Sequence, residues 1–303
     1  MYSYSIYQWL FFFYLYCFFG WCVESTYVSI KDRKLTNRGF IRGPFLPLYG
    51  SGGMMMLIVS MPFRDNVFLV YIAGCLGATV LEYVTGVTME ALFKVRYWDY
   101  SKNKFNFQGH ICLGTSLSWG FLTIFMTEIF HVPVERIVLA IPEQVLNPVT
   151  VVLTVLIGAD FALSFKAAID LKDLLAKMES TKGELISIQK RLDAIITSAG
   201  ESLGSKKEAI AVSMDELKMG IEVKFESLKN LALTKPSEYM ESVKEELTEL
   251  VKKYTVNIEI RSHLSSIRDF FQKDMIRSNP SMTSDKYQES LDEVKQQTFK
   301  KKK

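Results

Sequence analysis

Five long apolar runs fill the first half of this chain, and the segments joining them alternate between basic and nearly uncharged. Runs of this length cross a bilayer as helices. Backbone polar groups in hydrocarbon must be satisfied internally, so a helical, polytopic membrane domain is the expected fold. The runs read as spans at Ile6–Ile30, Pro47–Pro62, Val67–Phe93, Ile111–Phe130 and Val149–Phe165. The second is the weakest. It opens on Gly43, Pro44 and Pro47 and carries Gly50, Ser51, Gly52 and Gly53, so it reads as a broken or re-entrant span.

Loop charge sets the orientation. The first loop carries Lys31, Arg33, Lys34, Arg38 and Arg42, and the third carries Lys94, Arg96, Lys102 and Lys104. The second and fourth carry only Arg64 and Arg136. The positive-inside rule places the first and third loops and the tail in the cytoplasm, with the N-terminus outside. The N-terminal run lacks a basic flank and continues for about 25 residues, which reads as a span rather than a signal peptide. Cys17, Cys22, Cys75 and Cys112 show no paired spacing and read as buried thiols.

Composition changes sharply near Lys166. The half before it is rich in Phe, Tyr, Leu, Val and Gly; the half after it is rich in Lys, Glu, Ser and Leu and has no Trp or Cys. Two domains follow, residues 1–166 in the membrane and 167–303 as a cytoplasmic helical arm. In the arm, Leu171, Leu174, Met178, Thr181, Leu185, Ile188, Leu192 and Ile195 keep a heptad rhythm broken once, at Thr181. Ile210, Met214, Leu217, Ile221, Leu228 and Leu231 repeat it after a turn at Gly200 and Gly204. Pro236 separates a third helix with Val243, Leu247, Leu250, Tyr254, Leu264, Ile267 and Phe271, and Asn279-Pro280 ends it. The arm is either a coiled coil that pairs with a second copy or a partner helix, or a hairpin packed on itself. The terminal Lys300–Lys303 run suits anionic lipid or is a solvated end.

Acidic residues inside the apolar runs are the candidate site. Gly74, Ala78, Glu82, Gly86 and Glu90 recur every four residues and form one helix ridge. Small residues on a ridge admit a neighbouring helix, so the two carboxylates face protein. At 1.5 Å per residue they stand about 12 Å apart, which puts Glu82 near the bilayer middle. A charge there costs about 2.5–3.5 kcal/mol and needs a task or a partner. Glu24 and Asp160 lie just inside the cytoplasmic boundary and Glu128 near the outer one. Structural pairings compete for some of them: Glu90 with Lys94, Asp160 with Ser164, Glu24 with a base of the first loop. Glu82 has no such local partner, so it reads as the buried carrier of an ion or proton.

Two loops complete the candidate set. In Asn37-Arg38-Gly39-Phe40-Ile41-Arg42-Gly43-Pro44, Arg38 and Arg42 are placed to receive an anionic group. The third loop holds Tyr97-Trp98-Asp99-Tyr100-Ser101 and Phe105-Asn106-Phe107-Gln108-Gly109-His110. Its aromatics suit the headgroup layer, whereas Asp99, Asn106 and His110 point to a site. The predicted set is Glu24, Arg38, Arg42, Glu82, Glu90, Asp99, Asn106 and His110.

At these residues the chain resembles the bacterial CmpB-type family of ABC transporter permeases. The resemblance rests on Trp21-Cys22-Val23-Glu24, Asn37-Arg38-Gly39-Phe40, Gly43-Pro44, Tyr49-Gly50, Glu82, Glu90, Trp98-Asp99-Tyr100-Ser101, Phe105-Asn106, Ile111-Cys112-Leu113 and Trp119-Gly120, and covers roughly Ile6 to Phe165. It implies a bacterial plasma-membrane protein and a transport role.

Three functions fit these residues. A permease subunit would use broken backbone near Gly50–Gly53 and midplane acids as a substrate path. The chain has no G-x-x-x-x-G-K-[ST], so a separate ATP-binding subunit would supply ATP hydrolysis, docked on the first and third loops. An inner-leaflet enzyme would use the carboxylates, His110 and the arginines on a phosphate-bearing lipid headgroup, although no hydrolase motif supports a particular reaction. A scaffold would work through the arm. No cofactor, resident metal or nucleic-acid partner is expected; the lipid bilayer is the certain surrounding.

Overall fold

The structure, a computed structural model, describes residues 4–31, 33–198, 213–234, 241–266 and 269–299. Gly200, Gly204, Ile210, Pro236, Ile267 and Lys300–Lys303, to which the sequence assigns turns, core positions and a basic end, lie outside the described residues. The described residues form helices and one two-stranded hairpin. It divides into two compact units: residues 1–172 with 268–286, and residues 173–267 with 287–303. The sequence boundary at 166/167 gave the whole tail to one domain. The segment 268–286 instead clusters with the membrane unit, because its polar groups pair with those of the first and third loops.

In the first unit, α1 spans Ile6–Lys31 and α2 spans Pro47–Ser60, followed by a 3-10 turn at Met61–Phe63. Helix α3 spans Val67–Phe93. Asn66 starts it, its side-chain oxygen accepting from the Phe68 and Leu69 N–H groups. Lys94 ends it with φ 58°, its N–H bonded to the Glu90 carbonyl. The third loop folds back as strands β1, Asn106–Phe107, and β2, Ile111–Cys112, paired antiparallel. Next come α4, Leu113–Ile124, a π-helical segment, Phe125–Phe130, and α5, His131–Leu139. Pro133 has no N–H to give and crowds the carbonyl four residues back, and the turns ahead of it widen: the His131 N–H reaches back to Met126.

Helix α6, Glu143–Ser198, joins the fifth apolar run to the first heptad segment without a break. Among the described residues, four stretches are long and apolar enough to cross a membrane: Ile6–Lys31, Val67–Phe93, Leu113–Leu139 and Glu143–Ser198. At 14 residues α2 is about 21 Å long, short of the roughly 30 Å hydrocarbon layer. The Leu113–Leu139 stretch runs past the expected end at Phe130, so Glu128 falls within a candidate span rather than at its edge.

Small residues let these helices close on each other. A side-chain carbon at Gly74 of α3 would stand 2.1 Å from the Thr123 hydroxyl of α4. One at Gly50 of α2 would stand 2.3 Å from the Cys17 sulfur of α1. The packed interior includes Phe12, Tyr16, Met56, Leu57, Ala78, Met126 and Val138. Outward-facing Val80, Val84, Phe121, Val152 and Val155 stay exposed, as lipid contact requires.

In the second unit, the rest of α6 packs with α7, Met214–Thr234, and α8, Lys244–Ser265. Leu185, Ile188, Leu192 and Ile195 are buried against Met214, Leu217, Ile221, Leu228 and Leu250. Thr181, the break in the rhythm, is buried with its hydroxyl on the Met178 carbonyl at 2.8 Å. Arg261 of α8 is 1% exposed and donates to Glu293 of the last helix, Gln288–Phe299, at 2.9 Å. Helix α9, Phe270–Ser278, belongs to the first unit; the last helix, α10, belongs to the second.

Candidate functional site

Glu82 stands in the middle of α3 and is 5% exposed. The ridge spacing predicts that burial, since Gly74, Ala78 and Gly86 are buried with it. Its two oxygens have separate donors. The Trp119 indole N–H of α4 reaches Oε2 at 2.9 Å, and the Tyr100 hydroxyl of the third loop reaches Oε1 at 3.0 Å. Neither donor carries charge, and a carboxylate has room for further partners. A cavity of about 350 Å³ opens beside it between α1, α2, α3 and α4. Tyr16, Tyr49, Met56, Ala78, Trp119 and Met126 are among its walls, and Glu82 is its single carboxylate.

A polar path leads from the cavity to the first loop. Tyr49, also in the cavity wall, donates its hydroxyl to Glu24 at 2.7 Å. Arg38 approaches the other oxygen of Glu24, with Nε at 3.5 Å. Tyr49 and Glu82 line the same cavity, so Tyr49 links the surroundings of the two acids. Glu24 therefore takes the first-loop partner expected of it.

Glu90 differs. Lys94 does not pair with it, because the helix ends there in a left-handed turn and the i,i+4 geometry is lost. Glu90 Oε2 instead receives Arg96 Nε at 2.9 Å and His110 Nε2 at 3.0 Å. His110 is buried at the end of the hairpin turn, where Gln108 and Gly109 take φ values of 53° and 72°. Trp98 donates to the His110 carbonyl at 3.0 Å.

Asp99 and Asn106 shape this loop. Asp99 accepts from the Ser101 N–H at 2.8 Å and from the Ser101 hydroxyl. Partial burial pushes the Asp99 carboxyl up, but these bonds and the nearby Arg96 outweigh it and hold the group below the usual carboxylate range. Asn106 donates to the Asn103 and Ser101 carbonyls at 2.9 and 3.2 Å and accepts from the Gly109 N–H at 3.2 Å.

The arginines proposed to receive an anion are already engaged by the returning segment. Arg38 Nη1 donates to the Ser278 carbonyl and to Asn279 Oδ1, both at 3.1 Å. Arg42 Nε pairs with Asp274 at 3.0 Å, and its guanidinium lies 4.2 Å from the Phe270 ring centre. Arg96 Nη2 pairs with Asp285 at 2.7 Å, and residues 96 and 283 form an isolated β-bridge. Asp160 of α6 accepts from the Gly43 N–H at 2.7 Å rather than from Ser164. Both basic loops thus meet one segment.

One polar cluster escapes sequence reading. His131 is 1% exposed, with Tyr16 hydroxyl at 2.6 Å from Nδ1 and Tyr4 hydroxyl at 3.1 Å from Nε2. Tyr4 also donates to Glu135. The partners are over 110 positions apart, and only Pro133 hints at the irregular helix that holds them. Of the predicted residues, the fold gathers Glu24 with Arg38 and Glu90 with His110 by direct contact. Glu82 takes Tyr100 and Trp119 instead, neither of which spacing could reveal. Among the described residues, no group of three or more His, Cys, Asp or Glu is arranged to hold a metal ion.

Comparison with known proteins finds a family. A family model described as "Putative ABC-transporter type IV" covers residues 11–165. No curated protein and no solved structure matches the chain.

Proposed function

Because the chain belongs to this ABC-transporter family, we propose that it is a permease-like subunit of the bacterial plasma membrane with a buried acidic site at Glu82. That it is a membrane protein follows from the family and from its four long apolar helices. One observation carries the rest: the Glu82 carboxylate borders a cavity of about 350 Å³ and is held there by two uncharged donors. A fixed, desolvated acid beside an empty space between helices is what a solute or ion path needs.

The site opens towards the cytoplasm along Tyr100, Tyr49, Glu24 and Arg38. A separate ATP-binding subunit hydrolyses ATP, since no phosphate-binding loop occurs in the sequence. It docks on the first and third loops together with residues 269–286. The arm after residue 172 lies in the cytoplasm and packs on itself, which the burial of its heptad residues within one chain supports. The chain is not itself an enzyme in this reading: Glu90 and His110 bond each other, and Asp99 and Asn106 close their own loop.

Purification of the tagged full chain from its native membranes tests this. The proposal expects an ATP-hydrolysing subunit to co-purify, and Glu82→Gln to change the turnover of the complex while assembly is retained. A chain that purifies alone and hydrolyses nothing in company with its membrane neighbours sinks it.

A further inference from the structure

We propose that the cavity beside Glu82 receives a lipophilic organic cation: one positively charged nitrogen on a compact apolar body. This rests on the reading of Glu82 as the substrate site and names the class of molecule that fits there.

Size comes first. At about 350 Å³ the cavity lies within the span of about 300–1,000 Å³ typical of small-molecule sites. It holds roughly a dozen water-sized volumes of about 30 Å³, enough for a body of about that many non-hydrogen atoms.

Wall chemistry selects the ligand. Six of the lining residues are aromatic: Tyr16, Phe19, Tyr49, Trp119, Phe125 and Phe130. Aromatic faces attract cations, most strongly where water is excluded. The bond from Trp119 to Glu82 keeps an indole and a carboxylate side by side. No Lys, Arg or His lines the cavity.

Other classes fit poorly. An anion would meet a carboxylate and the negative faces of rings, with no base to receive it. A neutral apolar body would fill the space yet leave the acid buried without a counter-charge. Divalent cations ask for about six oxygen ligands, whereas the cavity wall supplies one carboxylate and tyrosine hydroxyls. An organic cation satisfies both the acid and the rings.

Two positions make the inference testable. Glu82→Gln keeps the shape and one acceptor oxygen for the Trp119 N–H, leaves the Tyr100 hydroxyl to turn and accept from the new amide, and removes the charge. Gly52 also lines the cavity, and a side-chain carbon there would meet nothing within 4 Å. Gly52→Leu therefore fills the space without disturbing Glu82.

The experiment measures binding of radiolabelled benzyltrimethylammonium to the full chain in a non-ionic detergent. The competitor is neopentylbenzene, which has the same shape with carbon in place of nitrogen. Saturable binding is expected, weaker by at least about tenfold in Glu82→Gln and lost in Gly52→Leu. Both variants should keep the wild-type melting temperature within a few degrees, and the neutral compound should compete poorly. No saturable binding, equal binding by Glu82→Gln, or equal competition by neopentylbenzene overturns the proposal. Equal binding by a stably folded Gly52→Leu overturns it too, by placing the cation elsewhere. The outcomes separate from those of the permease reading. An ATP-hydrolysing complex sensitive to Glu82→Gln but indifferent to the cation leaves that reading standing and removes this one. Cation binding by a chain with no ATP-binding partner does the reverse.

Discussion

The side-chain amide of Asn279 donates to the backbone carbonyl of Gly39 at 2.9 Å, across 240 positions of sequence. The same amide also reaches the Met275 carbonyl at 3.0 Å, and its oxygen receives Arg38. One buried asparagine thereby fixes the first loop against α9. Asn279→Ala should lower the melting temperature of the membrane unit, because removing it leaves buried partners unsatisfied at about 1–3 kcal/mol. Limited proteolysis should show faster cleavage within residues 37–44. An unchanged cleavage rate would mean the loop holds without this contact.

Arg96 serves three carboxylates, with Glu90 at 2.9 Å, Asp285 at 2.7 Å and Asp99 at 4.0 Å. Arg96→Ala should cost about 1.5–3 kcal/mol through the lost charged hydrogen bonds. Arg96→Lys should recover only part, since an ammonium cannot fork between Glu90 and Asp285. Thermal unfolding of both variants, followed by Trp fluorescence, decides this. Equal melting temperatures for Lys and Arg would show that charge alone suffices.

Asp99 predicts an acid limb. Its folded carboxyl lies below the usual range, so its contribution is fully present above the unfolded value of about 3.9 and fades as pH falls through the folded one. Asp99→Asn should be less stable than wild type at pH 7, and the difference should shrink below about pH 4. Amide exchange in residues 98–110 across pH 3–7 measures it. A gap that widens on acidification would reverse the assignment.

Gly74 tests the α3–α4 contact. Any side chain there collides with Thr123, whose hydroxyl would stand 2.1 Å from the new carbon. Gly74→Ala should destabilise by about 1–3 kcal/mol, and Thr123→Ala in the same chain should relieve part of the loss. The check is a double-mutant cycle of melting temperatures. Strict additivity would show that the two residues do not meet.

Much of the helical architecture is legible in the residues themselves. The four-residue recurrence of Gly74, Ala78, Glu82 and Gly86 announces a buried ridge, and all four are buried. Glu82 lacks a local partner, and its donors indeed lie 18 and 37 positions away. Periodicity describes which face of a helix is covered, not what covers it, so Tyr100 and Trp119 were beyond its reach. The Glu90–Lys94 pairing, one of the alternatives that spacing leaves open, is not made, for a local reason. Spacing assumes that a helix continues, and Lys94 ends it. The return of residues 269–286 to the basic loops was equally hidden, because Asp274, Asn279 and Asp285 look like ordinary surface residues until a distant loop meets them.

That return has an implication for biosynthesis. The contacts that lock the first and third loops come from residues 189 to 240 positions further along the sequence. Until those have emerged from the ribosome, a nascent chain already threaded into the bilayer must wait with its first and third loops unlocked. A premature stop between codons 199 and 269 would thus release a protein whose candidate membrane helices are all made but whose first and third loops lack their partners, a form that quality-control proteases are suited to remove.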